Sequence, residues 1–208
     1  MTSWREASFA VVDLETTGLD PQVHEVLSVG LVPVDSGRIV AGRAFYRTVR
    51  PMVAPDSRTV VIHGIRPVDA AAARPADEVA EELVAEIGDR IVVAHVAGVE
   101  RGFLTPWLAA TGYRPGRLVD TDLLARLVIA RRGGPLVDGH VGLGAAAAEF
   151  GLPEHGRHHA LGDALTTAQL FLAVASLLEP GGDASVEELL RADRLLARER
   201  RRRRWRRA

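Results

Sequence analysis

The chain has 208 residues, of which 47% are hydrophobic and 25% charged, a composition that is typical of a folded globular protein and excludes a disordered, collagenous or coiled-coil chain. Its 26 basic and 27 acidic residues give a net charge of −1. The charges are unevenly distributed, because residues 191–208 hold ten arginines against Asp193 and Glu199, a net +8 that leaves −9 on residues 1–190. The sequence therefore predicts an acidic body followed by a basic segment.

The chain contains no cysteine, so it has neither a disulfide framework nor thiolate metal ligands. Any metal must be bound by carboxylates or imidazoles. The N-terminus lacks the apolar core of a signal peptide, and the most apolar stretch, residues 168–178, is shorter than the roughly 20 residues that a membrane span needs. We therefore predict a soluble, cytoplasmic protein without a membrane span.

The order of the predicted elements indicates an α/β fold. Segments rich in β-branched residues and separated by turn formers predict three consecutive strands, at residues 9–14, 26–34 and 39–49. Helical spacing of apolar residues predicts helices at 76–87, 99–110, 121–131, 142–150 and 160–178. Two short strands are predicted between them, at 90–94 and 118–119. This order corresponds to a mixed sheet flanked by helices. We predict one domain over residues 1–180 and an Arg-rich helix or tail over residues 181–208.

Two acidic residues, Asp13 and Glu15, end the first predicted strand. Because side chains alternate along a strand, both carboxylates project from the same face of the sheet. Like charges held together in a low-dielectric site share a proton or bind a cation, and oxygen ligands favour Mg²⁺ or Mn²⁺. The alternative is that both carboxylates simply face solvent, as acidic residues usually do.

A histidine and a further acid, His158 and Asp163, begin the last predicted apolar helix. Asp163 is a candidate to complete a carboxylate cluster with the strand acids. A neutral imidazole titrates near physiological pH, which suits His158 to removing a proton from an attacking water. A His-x4-Asp spacing alone is common by chance, but in order after an opening Asp-x-Glu-Thr-Thr-Gly strand it is not.

In this order the motifs resemble those of the DEDDh exonucleases, the family of the proofreading epsilon subunit of bacterial DNA polymerase III, ribonuclease T and oligoribonuclease. The resemblance covers residues 8–178 and rests on four stretches, at residues 9–19, 61–65, 120–124 and 158–163. The first reads F-A-V-V-D-L-E-T-T-G-L and the last H-H-A-L-G-D. Ordered motifs over this length are far more specific than any single one. The resemblance implies an RNase H-like fold with a mixed five-stranded sheet.

The resemblance also implies how the site works. Asp13, Glu15 and Asp163 are expected to hold two divalent ions, Mg²⁺ or Mn²⁺, with Glu100 in the fourth acidic position. His158 is expected to act as the general base for the water that attacks the terminal phosphodiester. The substrate is expected to contact three further residues, Thr16, Thr17 and His63.

The second motif departs from the family pattern. The family reads H-N-A-x-F-D-x-x-F-L, whereas residues 95–104 read H-V-A-G-V-E-R-G-F-L. Glu100 keeps the charge of the family's Asp but adds a methylene, and Mg²⁺ tolerates little variation in ligand distance. A carboxylate that acts through an intervening water accommodates a longer side chain more easily. We therefore expect reduced or retuned activity, and with Val96 in place of Asn a different substrate preference.

The resulting functional hypothesis is a metal-dependent 3′–5′ exonuclease that releases nucleoside 5′-monophosphates from single-stranded DNA or RNA. One alternative is a catalytically weakened pseudo-exonuclease that grips nucleic-acid ends without cutting them, and Glu100 motivates it. Another is a noncatalytic partner subunit of a polymerase or repair complex, for which the basic segment would be a docking element. A role in DNA repair and a homodimer are also compatible with the family.

The basic segment itself allows three interpretations. Its arginines can bind phosphates with salt-dependent affinity, with Trp205 stacking on a base. It can instead be a disordered tail that folds back electrostatically on the acidic body, or a basic amphipathic helix on a membrane surface. Apolar residues upstream of the arginines, from Val186 to Leu196, follow a helix-like spacing.

Overall fold

The computed structural model describes residues 2–55, 57–181 and 184–205, without the side chains of Ser57, Arg58, Arg204 and Trp205. Its strands, in chain order, are β1 (Ser8–Thr16), β2 (Val26–Asp35), β3 (Arg38–Ile39), β4 (Phe45–Arg50), β5 (Arg74–Pro75), β6 (Ile91–Ala94) and β7 (Val119–Asp120). Its helices are α1 (Ser57–His63), α2 (Pro67–Ala71), α3 (Ala76–Ile87), α4 (Ala97–Leu108), α5 (Thr121–Arg131), α6 (Leu143–Glu149), α7 (Ala160–Leu178), α8 (Val186–Leu189) and α9 (Ala192–Trp205).

The strands form one mixed sheet in the order β5-β4-β2-β1-β6-β7, with β3 paired to β2. β1, β2 and β4 are antiparallel neighbours, whereas β6 and β7 continue the sheet in parallel with β1. The described residues form a sheet of seven strands, so the predicted number of five is wrong for two reasons. The predicted strand at 39–49 is two strands, because the 3₁₀ turn Ala41–Arg43 interrupts it, and the two-residue β5 pairs with the end of β4.

Both faces of the sheet are covered by helices, so the central strand β1 is buried on both sides. Its alternating residues separate into two cores, with Phe9 and Val11 facing one side and Ala10 and Val12 the other. Helices α5 and α7 pack on the first face, and α3 and α4 on the second. This two-sided burial explains why the apolar run at the start of β1 shows no alternation with polar residues.

The N-terminus of α7 lies directly against β2 at Gly30. A Cβ on Gly30 would be 2.3 Å from the carbonyl oxygen of Ala160, so no larger residue fits without displacing the helix. Gly30 is also the cross-strand partner of Asp13. Because glycine has no side chain, the first turn of α7 can lie close to β2 at Gly30, next to the acidic end of β1.

Helix α7 is the main apolar helix of the fold. The stretch Ala160–Gly181 is long and apolar enough to cross a membrane by length and composition, and half of its most apolar window is buried inside the protein. Phe171 packs against Phe9 and Trp4 with ring centroids 4.7 and 5.9 Å apart. These contacts are those of a core helix packed on a sheet.

The described part of the basic segment is helical and packs on the body. Leu189, Leu195 and Leu196 are buried in the same core as α5 and α7. This confirms the helix-like spacing seen in the sequence. Arg206 and Arg207 lie outside the described residues, and the predicted division of the chain at residue 180 stays a prediction.

Candidate active site

Two strand acids lie at the end of β1, where it emerges from between the two cores. Asp13 and Glu15 are both partly buried, and strand alternation places them on one face. Burial raises the pKa of Asp13 well above its ordinary value, and the charges of Glu100, Asp163 and Glu15 raise it further. Asp13 is therefore the point at which four acidic residues from three chain segments, β1, α4 and α7, converge.

The third acid, Asp163, lies in the first turn of α7. Its Oδ2 accepts a hydrogen bond of 2.9 Å from the backbone N–H of His158, a residue in the left-handed region at φ 60°. Ligand atoms of Glu15, His158 and Asp163 all lie within 4.8 Å of one another. The carboxylate of Asp163 thus holds the strained loop that presents the His158 imidazole to the cluster.

His158 and the neighbouring His159 have different surroundings. The His159 ring stacks on Tyr46, with centroids 4.5 Å apart and an interplanar angle of 24°. Its backbone precedes α7 as the residue before the first helical turn. The structure therefore brings His158, and not His159, to the acidic group.

The fourth acid, Glu100, projects from the first turn of α4 and is buried. Burial raises its pKa to about 8, and the charges of Asp120 and Glu15 add to this. Its Oε2 has no hydrogen-bond partner among the described residues. A buried oxygen without a partner costs free energy unless a cation, a proton or a water satisfies it.

The acidic group has an electrostatic imbalance that a divalent cation would correct. Burial, followed by the charge of Asp163, raises the pKa of Glu15 to about 7, and burial also raises the pKa of Asp163. Within the described ranges, none of these four acids forms an ion pair with an arginine within 4.0 Å. Carboxylate oxygens that converge without an arginine partner among the described residues provide the ligand type that Mg²⁺ and Mn²⁺ prefer.

Asp120 has a structural role beside the acidic group that the sequence analysis did not predict. Asp120 caps α5 through hydrogen bonds from the backbone of Asp122 and Leu123, and its Oδ2 accepts from the N–H of Ala97 at 3.1 Å. It thereby ties the start of α5 to the start of α4, which presents Glu100. The N-cap signal of an Asp before Thr-Asp-Leu was visible in the sequence, but the contact with Ala97 was not.

The three predicted substrate residues have separate surroundings. Thr16 Oγ1 donates to the carbonyl of Gly18 at 2.6 Å, and the buried Thr17 Oγ1 accepts from the N–H of Glu25 at 3.0 Å. Both hydroxyls therefore shape the turn after β1. His63 ends α1 and lies near His158, since burial and then the charge of His158 lower its pKa.

His63 also has a defined tautomer. Its Nδ1 accepts a hydrogen bond of 3.0 Å from the N–H of Ile65, so in the neutral ring the proton is on Nε2. This Nε2 is buried and has no partner among the described residues. His63 therefore has a spare hydrogen-bond donor close to the acidic group.

The first two residues of the second motif, His95 and Val96, lie between β6 and α4. His95 is buried and bonded on both ring nitrogens, to Thr121 Oγ1 at 2.9 Å and to the carbonyl of Val141 at 2.7 Å. These two bonds give His95 a structural role between the end of β6, the start of α5 and the segment before α6. Val96 has φ 57° and ψ 50° as the residue before α4, a left-handed conformation that Asn adopts far more readily than a β-branched residue.

Residues 10–171 match a sequence-family model described as exonuclease, of the ribonuclease T type. The PolC-type DNA polymerase III of Thermotoga petrophila is 31% identical over 192 residues, which cover 90% of this chain and 13% of the polymerase. The epsilon subunit of DNA polymerase III from Aquifex aeolicus is 30% identical over 169 residues, 81% of each chain. The chain thus corresponds to a small part of the first relative and most of the second.

Solved structures share the same architecture. Exonuclease I of Escherichia coli in complex with a dT13 oligonucleotide superposes with a TM-score of 0.71 at 18% identity, covering 85% of this chain and 43% of that one. Exonuclease X in complex with 5′ overhanging duplex DNA gives a TM-score of 0.65 at 24% identity, covering 88% of this chain and 98% of that one. At these identities the similarity establishes the fold, and it confirms the predicted RNase H-like α/β architecture.

Proposed function

The chain belongs to the ribonuclease T family of exonucleases, and we propose that it is a metal-dependent 3′–5′ exonuclease acting on single-stranded DNA or RNA. The product would be a nucleoside 5′-monophosphate. One observation supports this above all: four carboxylates from three separate elements, β1, α4 and α7, converge at one site. Burial raises the pKa of Asp13, Glu15, Glu100 and Asp163, and charges within the group raise several of these values further.

The family normally uses divalent metal ions, and the residues present fit such ions. Asp13, Glu15 and Asp163 would hold two ions, Mg²⁺ or Mn²⁺, with Glu100 contributing the fourth carboxylate. When bound, the ions would polarise the attacking water and stabilise the charge on the leaving 3′-oxygen. The unpartnered Oε2 of Glu100 supports its participation, directly or through a water.

His158 would act as the general base. Its imidazole is exposed and lies within 4.8 Å of ligand atoms of Glu15 and Asp163, so it can accept the proton of a water attacking a phosphodiester at the same place. The hydrogen bond from its backbone to Asp163 fixes the loop. Because the pKa of Glu15 is about 7 in the metal-free site, metal binding would release its proton, and we expect metal affinity to rise with pH through neutrality.

Substrate contacts would come from the segments around the acidic group. The spare Nε2–H of His63 is suited to donating to a phosphate oxygen of the terminal nucleotide. Because the hydroxyls of Thr16 and Thr17 are bonded within the protein, we propose that this turn contacts the nucleotide mainly through its backbone.

The second candidate is a catalytically weakened pseudo-exonuclease, which the extra methylene of Glu100 favours. Glu100→Asp separates the two functions, because it restores the family's residue at this position. If the chain is an enzyme detuned by Glu100, this variant cleaves faster than the wild type. If Glu100 is tolerated, the two rates agree, whereas no cleavage by either variant supports the binding module.

The polarity and product are tested on matched oligonucleotides. With Mg²⁺ or Mn²⁺, a 5′-labelled single strand should give a ladder of successively shorter products, and a 3′-labelled strand should release labelled mononucleotide at once. Chromatography should identify the product as a nucleoside 5′-monophosphate. Internal cuts, or shortening from the 5′ end, would overturn the proposed reaction.

The relatives named above also suggest partners. Since one is a DNA polymerase III subunit and another a polymerase, we propose that this chain works beside a polymerase or in DNA repair. Co-purification with a polymerase from the native cell tests this proposal. A homodimer and a cytoplasmic location stay predictions.

A further inference from the structure

Helix α9 presents a row of arginines away from the body. Arg194, Arg198 and Arg201 are exposed, and their spacing of four and three residues places them on one side of a helix, about 6 and 4.5 Å apart along its axis. In the parts of the chain that the structure covers, no carboxylate lies within 4.0 Å of their guanidinium nitrogens. We call these three residues the outer arginine row.

The inward arginines of the same helix are already used. Arg203 donates to the carbonyl of Gly134 at 2.9 Å and pairs with the buried Glu199. Arg200 donates to the carbonyl of Val137 at 3.2 Å. These bonds fix α9 on the segment between α5 and α6, so the outer row is held on a rigid helix and not on a loose tail.

The apolar side of α9 is not available to a membrane. Leu195 and Leu196 are only 4% and 5% exposed because they pack into the core beside α5. The large hydrophobic side chains that are exposed in the described structure all lie on other elements. A basic helix that inserts into a bilayer needs a free apolar face, and α9 has none among these residues.

A groove of about 730 Å³ connects the beginning of α9 with the active-site side of the molecule. At one end it is lined by Gly98 and Asp120, beside the helix that presents Glu100, and at the other by Asp193 of α9. Exposed Arg101 and Arg114 lie along it. The groove ends at Asp193, one residue before Arg194, the first member of the outer arginine row. We use the term arginine path for these two groove arginines together with the outer arginine row.

We propose that this path binds the phosphate backbone of a nucleic-acid strand whose 3′ end occupies the active site. The proposal rests on the proposed function for the position of the strand's end, but the binding itself requires no cleavage. Each strand of a duplex has one phosphate per about 3.4 Å of helix axis, and the phosphates of an extended single strand lie farther apart. Arginines about 4.5 to 6 Å apart along α9 can therefore each meet a separate phosphate. The acidic body repels such a strand, and the arginine path supplies the missing attraction without reading sequence.

The test compares two double variants of the full chain. Arg194→Gln with Arg198→Gln removes two charges from the outer row. Arg38→Gln with Arg43→Gln removes two exposed charges beside β3, outside α9 and the groove. Binding of labelled 30-nucleotide and 4-nucleotide single strands is measured by fluorescence anisotropy in EDTA from 0.05 to 0.5 M salt, with melting temperatures to confirm folding.

The outer-row variant should lose about 1.4 units of the slope of log affinity against log salt, since each single-strand phosphate contact contributes about 0.7. If the variant and the wild type bind equally at 1 M salt, this slope difference makes the variant bind the 30-nucleotide strand about 25-fold more weakly at 0.1 M salt. The ratio of the affinities for the 30-nucleotide and the 4-nucleotide strand should decrease in this variant. The control variant should have the affinities and the salt dependence of the wild type.

Equal affinities and slopes for the wild type and the folded outer-row variant would overturn the proposal. So would a loss of binding to phosphatidylserine vesicles or to polyglutamate that exceeds the loss for the oligonucleotide, because the row would then serve a membrane or an acidic protein. If the wild type binds the strand through the outer arginine row but never cleaves it, the proposed exonuclease function is wrong, whereas the proposed nucleic-acid-binding surface is supported.

Discussion

At the scale of single residues, charge and burial determine the character of the site. The alternation of β1 predicted that Asp13 and Glu15 share a face, and the structure places them together with Asp163 and Glu100. What the sequence could not show was the degree of burial, which depends on α4 and α7 packing over the strand end. That burial is the largest cause of the raised pKa values.

The raised pKa values predict how the metal-free protein responds to pH. The pKa is about 7 for Glu15 and about 8 for Glu100, against about 4.3 in an unfolded chain. Between about pH 4.3 and pH 8 the native state therefore binds more protons than the unfolded state, so the free energy of unfolding falls as the pH rises. In EDTA, the melting temperature should drop from pH 5.5 to 8.5, and Mn²⁺ should restore it most at the highest pH.

The double variant Glu15→Gln with Glu100→Gln is the control for this experiment. It keeps the shapes of both side chains but removes their titration, so its melting temperature should depend less on pH and respond less to Mn²⁺. A wild-type melting temperature that rises over the same pH range in EDTA would contradict the assignment of these carboxyls.

Replacing Val96 by Asn should stabilise the protein. A β-branched residue in the left-handed region costs roughly 1–2 kcal/mol relative to one that tolerates it. Val96→Asn should therefore raise the free energy of unfolding by about 1 kcal/mol, with a further contribution from capping α4. Urea denaturation measures the difference.

The matched control for Val96 is Val99→Asn, which places the same residue at an exposed position within α4. Because Val and Asn have similar helix propensities, no gain in stability is expected at this position. Equal changes in both variants would show that the backbone conformation of residue 96 is not the cause.

At the scale of elements, helix periodicity was the more reliable signal. The predicted helices at 76–87, 121–131 and 160–178 coincide with α3, α5 and α7, because their apolar spacing is fixed by packing on the sheet. The strand at 39–49 was predicted too long, since β-branched residues on both sides of the turn Ala41–Arg43 obscured the break. The two-residue β5 exists only through its pairing with β4, a contact that no local pattern indicates.

The contact between α7 and β2 predicts a strong effect of one methyl group. Gly30→Ala would place a Cβ 2.3 Å from the carbonyl oxygen of Ala160, so the start of α7 must shift and Asp163 with it. We expect a loss of about 1–3 kcal/mol in stability and a clear loss of nuclease activity. Gly42→Ala, where nothing lies within 4 Å of the new Cβ, is the control.

Thermal denaturation and the oligonucleotide assay together check this prediction. A Gly30→Ala protein with the stability and activity of the Gly42→Ala protein would mean that the close approach at residue 30 does not position the acids. A loss of activity at unchanged stability would still support the positioning role.

At the scale of the whole molecule, the net charge of −1 conceals two parts of opposite sign. The sequence predicted this separation but left open whether the basic segment binds phosphates, folds back on the acidic body as a disordered tail or lies on a membrane surface. In the structure the inward side of α9 packs on α5 and Arg203 bonds to the carbonyl of Gly134, while its outer row faces solvent. Only tertiary packing could assign each arginine to a side.

The central claim is that the converging acids form a working metal site for hydrolysis of a terminal phosphodiester. It is tested most directly by incubating a 5′-labelled single-stranded oligonucleotide with the wild type and with Asp13→Asn, in Mg²⁺, in Mn²⁺ and in EDTA. The account predicts progressive shortening by the wild type in one or both metals, and none in EDTA or with Asp13→Asn. An intact oligonucleotide under all conditions, or shortening that persists in the Asp13→Asn protein, would contradict it.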